Sequence, residues 1–312
     1  MAGISGIAGI AGIAGMVGWT GVAGIAGMTG MASLTNVKRV FALLGFSLLV
    51  GCAQISPEQR KELAQQLAVN AGWTEQVLQT TPFSLMAFFN HSPSPVEVVT
   101  IYLEGDGHAW VGGRYPSDDP TPLDPVALRL AMAQPNGAVA YLARPCQYLK
   151  QANAARCTET MWTKDRFSKA VIDSTNQGVS FIKNKWGAQQ IVLVGYSGGA
   201  RIALELAAQR DDIKQIITVA GNMDPTAWTL ELGLKPLTVM QSNRKLILAT
   251  KQVPQTYFIG DADNVIPSKL VKEFANQYPA HNRPRVIVIR DNAHVCCWVE
   301  QWPELWKTTS KP

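Results

Sequence analysis

The segment best suited to covalent chemistry is Gly195-Tyr196-Ser197-Gly198-Gly199. It follows the apolar run Ile191-Val192-Leu193-Val194 and precedes a helical pattern containing Ile202, Leu204 and Leu206. A serine forced into a sharp strand-to-helix turn brings its backbone against its neighbours, and side chains two positions to either side would collide. Gly195 and Gly199 leave that room. Such a turn aims the Ser197 hydroxyl outward at a helix N-terminus, where the Gly198 N–H can face a developing oxyanion. The plainer alternative is a tight structural turn with no chemistry attached.

Residues 83–302 as a whole resemble the α/β-hydrolase superfamily, with this turn in its expected place after a central strand. The resemblance implies a serine, an acid and a histidine in that order along the chain. Asp263 lies in Gly260-Asp261-Ala262-Asp263-Asn264-Val265-Ile266-Pro267, just past a strand-like run, where the family's acid loop falls. Asp261 is the rival, but its place directly after Gly260 suits it to shaping the turn through backbone hydrogen bonds. His294, in Asp291-Asn292-Ala293-His294, follows the last strand-like run and is expected to be the base; the alternative is a solvent-facing loop histidine. In these roles His294 takes the Ser197 proton and passes it to the leaving group, while Asp263 holds the imidazole in the right tautomer. His91 and His281 stand beside proline-rich or polar turns and read as structural or exposed.

The family draws its second oxyanion donor from a glycine-rich loop after an early strand. Here Val98–Leu103 runs into Glu104-Gly105-Asp106-Gly107-His108-Ala109-Trp110, which resembles that element without its commonest form. The Asp106 N–H, presented by Gly105 and Gly107, is the first choice of donor and Gly107 the alternative. The carboxylates of Glu104 and Asp106 are expected to face away, because negative charge there would oppose catalysis. Two acids and one histidine are thin for a calcium or zinc site, so no metal is expected. Trp110 and Tyr196 are candidates for a pocket wall. No glycine-rich nucleotide fingerprint stands in a binding context, so no cofactor is expected either.

Several elements must position these residues. Strand-like runs appear at 83–89, 96–103, 138–142, 190–194, 213–219, 255–259 and 285–289, several of them apolar throughout, as strands buried on both faces should be. Helical patterns lie between them at 125–132, 166–185, 199–209 and 268–277. The alternation predicts an α/β fold: a mainly parallel central sheet with helices on both faces. Ser56-Pro57-Glu58-Gln59 opens a further helix carrying Leu63, Leu67 and Val69 and ending near Gly72. Residues 221–252 break the rhythm and read as the connection to the next strand rather than as an insertion. Trp298, Trp302 and Trp306 recur four apart, on one face of a terminal helix that packs on the core.

Cys146 and Cys157 are close enough to close a small loop and are expected to be bridged in an exported protein, stiffening one wall of the site with Trp162 and Arg166. Adjacent Cys296 and Cys297 are expected to be a buried thiol pair or to bond elsewhere.

The chain has 312 residues, 47% hydrophobic and 16% charged, with a net charge of +5, which excludes a disordered chain. The basic residues are scattered, so nucleic acid is not an expected partner. Residues 1–30 carry a Gly-x-x repeat without proline, an unusual leader or the product of an upstream start. Residues 31–51 read as a signal peptide: a basic region, the apolar Phe41–Val50, then Gly51 and Cys52. Leu49-Val50-Gly51-Cys52 resembles the lipobox of bacterial lipoproteins, which implies lipidation of Cys52 and cleavage before it. The alternatives are a transmembrane anchor or a plain secretory signal. Residues 52–82 then form a linker and first helix, and 83–312 the hydrolase domain.

Together these features lead to the expectation of a lipid-anchored serine esterase facing the periplasm of a Gram-negative bacterium, or a secreted one, acting on small or medium acyl substrates. A peptidase or amidase with the same triad is the nearest alternative, and a non-catalytic envelope-binding module of the same fold the other.

Overall fold

Helix α1 (Pro57–Asn70) opens the described part of the computed structural model, which comprises residues 55–149 and 156–309. The Gly-x-x repeat, the signal-like segment and Cys52 lie outside the described residues. Ser56 caps α1: its hydroxyl accepts from the Gln59 N–H at 3.2 Å, and the Gln59 side chain accepts from the Ser56 N–H at 2.8 Å. That reciprocal pair satisfies two helix-end donors, with proline at the position where no donor is needed. The buried face is Arg60, Ala64 and Ala68. Leu63 and Leu67 are only half-buried and Val69 is exposed, while the small Ala64 and Ala68 join an inner apolar cluster.

Strands β1 (Thr74–Leu78), β2 (Leu85–Phe89) and β3 (Val98–Leu103) follow, then the two-residue arms of a hairpin, β4 (Trp110–Val111) and β5 (Tyr115–Pro116). The middle of the chain continues through α2 (Val126–Ala133), β6 (Ala138–Leu142), α3 (Lys169–Lys185), β7 (Gln190–Tyr196) and α4 (Gly199–Ala207). It ends with β8 (Ile213–Val219), α5 (Pro225–Glu231), α6 (Asn243–Thr250), β9 (Gln255–Gly260), α7 (Ser268–Asn276), β10 (Arg285–Ile289) and α8 (Trp298–Thr309). Residues 221–252 thus contain two helices, and α6 serves as the crossover to β9. The sheet begins earlier than residue 83, since β1 pairs with β2.

Eight strands form the main sheet in the order β1-β2-β6-β3-β7-β8-β9-β10. β2 pairs antiparallel with β1 and β6, and every other pairing is parallel. Alternate residues divide between two packed layers. Ile101, Leu103 and Leu193 join the layer under α3 and α4. Tyr102, Val192 and Val194 join the layer under α2 and α8. Trp298 and Trp302 are fully buried in that second layer, and Trp306 half-buried at its edge. Burying one tryptophan is worth up to ~5 kcal/mol from its area, and the Trp302 indole N–H also donates to the Tyr102 hydroxyl at 2.8 Å.

Register is what builds the site. From β3 the chain goes outward to β6 and then returns to β7 on the other side of β3, so successive connections diverge there and the strand ends open a crevice. Leu103 is paired with Gly195, so the loop after β3 and the turn after β7 leave the sheet side by side. Ile289 is paired with Gly260, which does the same for the loops after β10 and β9.

Candidate active site

Ser197 holds φ of +50°, in the left-handed region that a non-glycine residue occupies only when its surroundings impose it. Its N–H donates to the Val219 carbonyl at 3.0 Å, and its own carbonyl accepts from the Asn222 N–H at 2.9 Å and the Ala200 N–H at 3.1 Å. The turn is therefore locked by β8 as well as by α4. A Cβ at Gly195 would stand 2.5 Å from the Ala200 Cα, and one at Gly199 2.3 Å from the Leu103 carbonyl oxygen. Both glycines are there for space.

His294 Nε2 stands 2.9 Å from Ser197 Oγ, and Nδ1 stands 2.9 Å from Asp263 Oδ2. With Nδ1 protonated toward the carboxylate, Nε2 is left to accept the serine hydroxyl proton. The Asp263 side chain is 1% exposed, and its other oxygen accepts from the Val265 and Ile266 N–H groups at 2.8 Å each. Asp261 lies outside this relay: its Oδ1 accepts from the Asp291 N–H at 2.7 Å and ties the loop after β9 to the loop after β10. The His294 carbonyl accepts from the Trp298 indole at 3.1 Å and from the Tyr196 hydroxyl at 3.1 Å. Tyr196, expected to line a pocket, is instead buried beneath the histidine loop, its ring 5.5 Å from the imidazole. Trp110 is partly exposed on β4, just past the loop after β3.

In that loop the two carboxylates part company. Glu104 turns inward, accepting from the Gly105 N–H at 2.8 Å and from the Tyr141 hydroxyl at 3.0 Å. Burial pushes its carboxyl up to about 7, against the pull of those hydrogen bonds. Asp106 does not face away from the nucleophile turn as expected: a Cβ at Gly198 would stand 2.2 Å from its Oδ1. Its charge is tolerated there because Arg166 Nη1 lies 2.6 Å from Oδ2 and Arg144 Nη1 3.2 Å from Oδ1. Burial alone would raise the Asp106 carboxyl, but the two guanidinium groups outweigh it and hold it below its ordinary value. The Gly105 N–H is taken by Glu104 Oε1, and Gly105 itself packs on the nucleophile turn, where a Cβ would stand 3.1 Å from the Ser197 Cβ.

Arg144 and Gln147 had no role assigned from sequence, and Arg166 only a general one. The available signal was their placing, with Arg144 and Gln147 at one cysteine and Arg166 soon after the other. Cys146 and Cys157 are joined in a disulfide with Cα atoms 5.6 Å apart. Cys296 and Cys297 form neither a buried thiol pair nor bonds elsewhere: they are joined to each other, Cys296 exposed and Cys297 half-buried. With Cys146 and Cys157 already paired, no other cysteine partner remains among the described residues.

A mainly parallel sheet with a strained serine turn after a central strand, and a histidine and an acid on later loops, defines an α/β hydrolase. The chain belongs to the dienelactone hydrolase family, whose model matches residues 138–295. It is similar in fold to an α/β serine hydrolase homologue from Coxiella burnetii, at 18% identity, 76% of this chain, 95% of that one and a TM-score of 0.52. It is also similar to Est1E from Butyrivibrio proteoclasticus, at 16% identity, 75% of this chain, 98% of that one and a TM-score of 0.51. No curated protein matches the chain. The protein is therefore a hydrolase of the α/β fold.

Proposed function

We propose that this hydrolase cleaves carboxylic ester bonds by acyl transfer to Ser197 and then to water. The observation that carries the reading is the continuous relay from Ser197 Oγ through His294 to the buried Asp263, each step 2.9 Å, starting from a serine with φ of +50°. In acylation His294 Nε2 takes the Ser197 proton as Oγ attacks the ester carbonyl. The carbonyl oxygen becomes an oxyanion held by the Gly198 and Asp106 N–H groups, with Gly107 as the alternative loop donor. The imidazolium, oriented and stabilised by Asp263, gives its proton to the departing alcohol. Water then repeats the sequence on the acyl-enzyme and releases the acid.

Small or medium acyl esters are the substrates to try first, and a thioester suits the same steps. The test is turnover of a p-nitrophenyl ester series of rising acyl length, with p-nitroanilide analogues beside it. Ester turnover that disappears in Ser197→Ala supports the reading, and faster anilide turnover would replace esterase by amidase. The reading places the protein in the cell envelope, supported by the lipobox-like Leu49–Cys52 and by the Cys146–Cys157 disulfide. Labelled palmitate incorporated by the full chain and lost in Cys52→Ala is the expected result, and no incorporation would remove the anchor.

A further inference from the structure

Asp106 takes no part in the proton relay, yet its carboxylate is gripped from two sides. Arg166 Nη1 is 2.6 Å from one oxygen and Arg144 Nη1 3.2 Å from the other. The two guanidinium groups are themselves held, 5% and 7% exposed. Arg166 Nε donates to the Thr163 carbonyl at 2.6 Å, Arg144 Nη2 donates to the Arg166 carbonyl, and Arg144 lies over the Phe167 ring at 5.3 Å.

We infer that Arg144 and Arg166 are positioning residues for the oxyanion hole, fixing the Asp106 N–H toward Ser197 by clamping the Asp106 side chain. The inference rests on the serine-hydrolase reading above. Asp106 follows Gly105, whose backbone freedom leaves the peptide between them without a strong preference of its own. The peptide that carries the Asp106 N–H is held at its other end, where the Gly105 carbonyl accepts from Gln147 Nε2 at 3.2 Å, and the His108 N–H donates to the Pro120 carbonyl at 3.0 Å. The Asp106 carboxylate, held by the two arginines, is the second hold on this peptide, from its side-chain end.

Charge points the same way. A bare carboxylate against Gly198 would oppose an oxyanion forming there. Two arginines on one aspartate cancel its charge, so the clamp both aims a donor and keeps the carboxylate from opposing the oxyanion. The Cys146–Cys157 disulfide ties the segment carrying Arg144 and Gln147 to the one carrying Thr163 and Arg166, which makes it the outer fastening of the same device.

Arg166→Ala, Arg166→Lys and Asp106→Asn test this. Each is compared with wild type for kcat and KM on the best ester, for inhibition by an arylboronic acid, and for melting temperature. The boronate forms a reversible tetrahedral adduct on Ser197 and places an oxygen where the oxyanion would stand. In Arg166→Ala, kcat should fall roughly 10- to 100-fold and the boronate inhibition constant rise by a similar factor, with KM changed less than about threefold. Arg166→Lys should recover part of the loss, and free guanidinium ion should partly rescue Arg166→Ala. Asp106→Asn carries the same readout should Arg166→Ala fail to fold. A kcat loss with unchanged boronate affinity, or full activity in folded variants, overturns the clamp while leaving the hydrolase reading in place. A wild-type protein with neither turnover nor boronate binding removes the reading and the clamp with it.

Discussion

On one side of the cleft, Ser197, Asp263 and His294 each sit on a short loop at the end of a parallel strand, and each side chain bonds only to the next or to the backbone of its own loop. On the other side Asp106 depends on Arg144 and Arg166, which arrive from segments separated by a cystine loop. The first wall is made by sheet register: pairing Leu103 with Gly195 and Ile289 with Gly260 puts the loops in place before any side chain acts. The second wall is made by charge, between residues whose meeting nothing in the local chain requires. A wall set by register should lose function without losing structure when a side chain is changed. A wall set by ion pairs and a crosslink should lose some of each.

The largest effect is expected on the first wall. Asp263→Asn should lower kcat on the order of 10³- to 10⁴-fold with a melting curve close to wild type, measured on the best p-nitrophenyl ester. A large drop in melting temperature would blur the contrast by making the relay structural as well. On the second wall, Cys157→Ser opens the 146–157 loop and should cost about 3 kcal/mol of unfolding free energy in urea titrations, from loop entropy. Its activity should fall by less than that of Arg166→Ala, since the arginines retain their own backbone partners.

Glu104, directly before the clamped loop, sharpens the comparison through pH. Its folded-state carboxyl is raised to about 7 from an ordinary 4.5, so the folded protein holds a proton that the unfolded chain releases. Stability from this group is fully present below about pH 4.5 and is lost as the pH rises toward 7. Glu104→Gln, which cannot titrate, should therefore gain stability relative to wild type between pH 5 and pH 8, on the order of 2 to 3 kcal/mol. Parallel urea midpoints at the two pH values would show no such gain if burial were not the cause. The smallest effect is expected at Asp261→Asn. An amide oxygen can still accept from the Asp291 N–H, so kcat should stay within about threefold of wild type and stability within ~1 kcal/mol.

Much of the sheet was legible because its strands are apolar on both faces. β6, β8 and β10 have the bounds their residue patterns indicated, and β3 and β7 differ by two residues at one end. β1 was not legible: Thr-Glu-Gln-Val-Leu is an edge strand with its first three residues exposed, so neither alternation nor an apolar run marks it. The hairpin of β4 and β5 has arms too short for any period to show. At the candidate site the nucleophile turn carries its own spacing, and the order of Ser197, Asp263 and His294 came with the family resemblance. The electrostatic argument set Glu104 away from the oxyanion hole but did not indicate its partner, the Tyr141 hydroxyl 37 residues later. The position of the Asp106 carboxylate was not legible, because the argument that it must face away assumed an unpaired charge, and the arginines that pair it are 38 and 60 residues distant. The hydroxyl bond of Tyr196 was hidden for a related reason: its partner is the carbonyl of a residue 98 positions later.

The most direct test of the account is the intact mass of the protein from Ala53 onward, with and without a fluorophosphonate probe, in wild type and Ser197→Ala. One adduct is expected in the wild type and none in the variant. A folded wild-type protein that takes up no adduct, or an adduct that persists in Ser197→Ala, would contradict it.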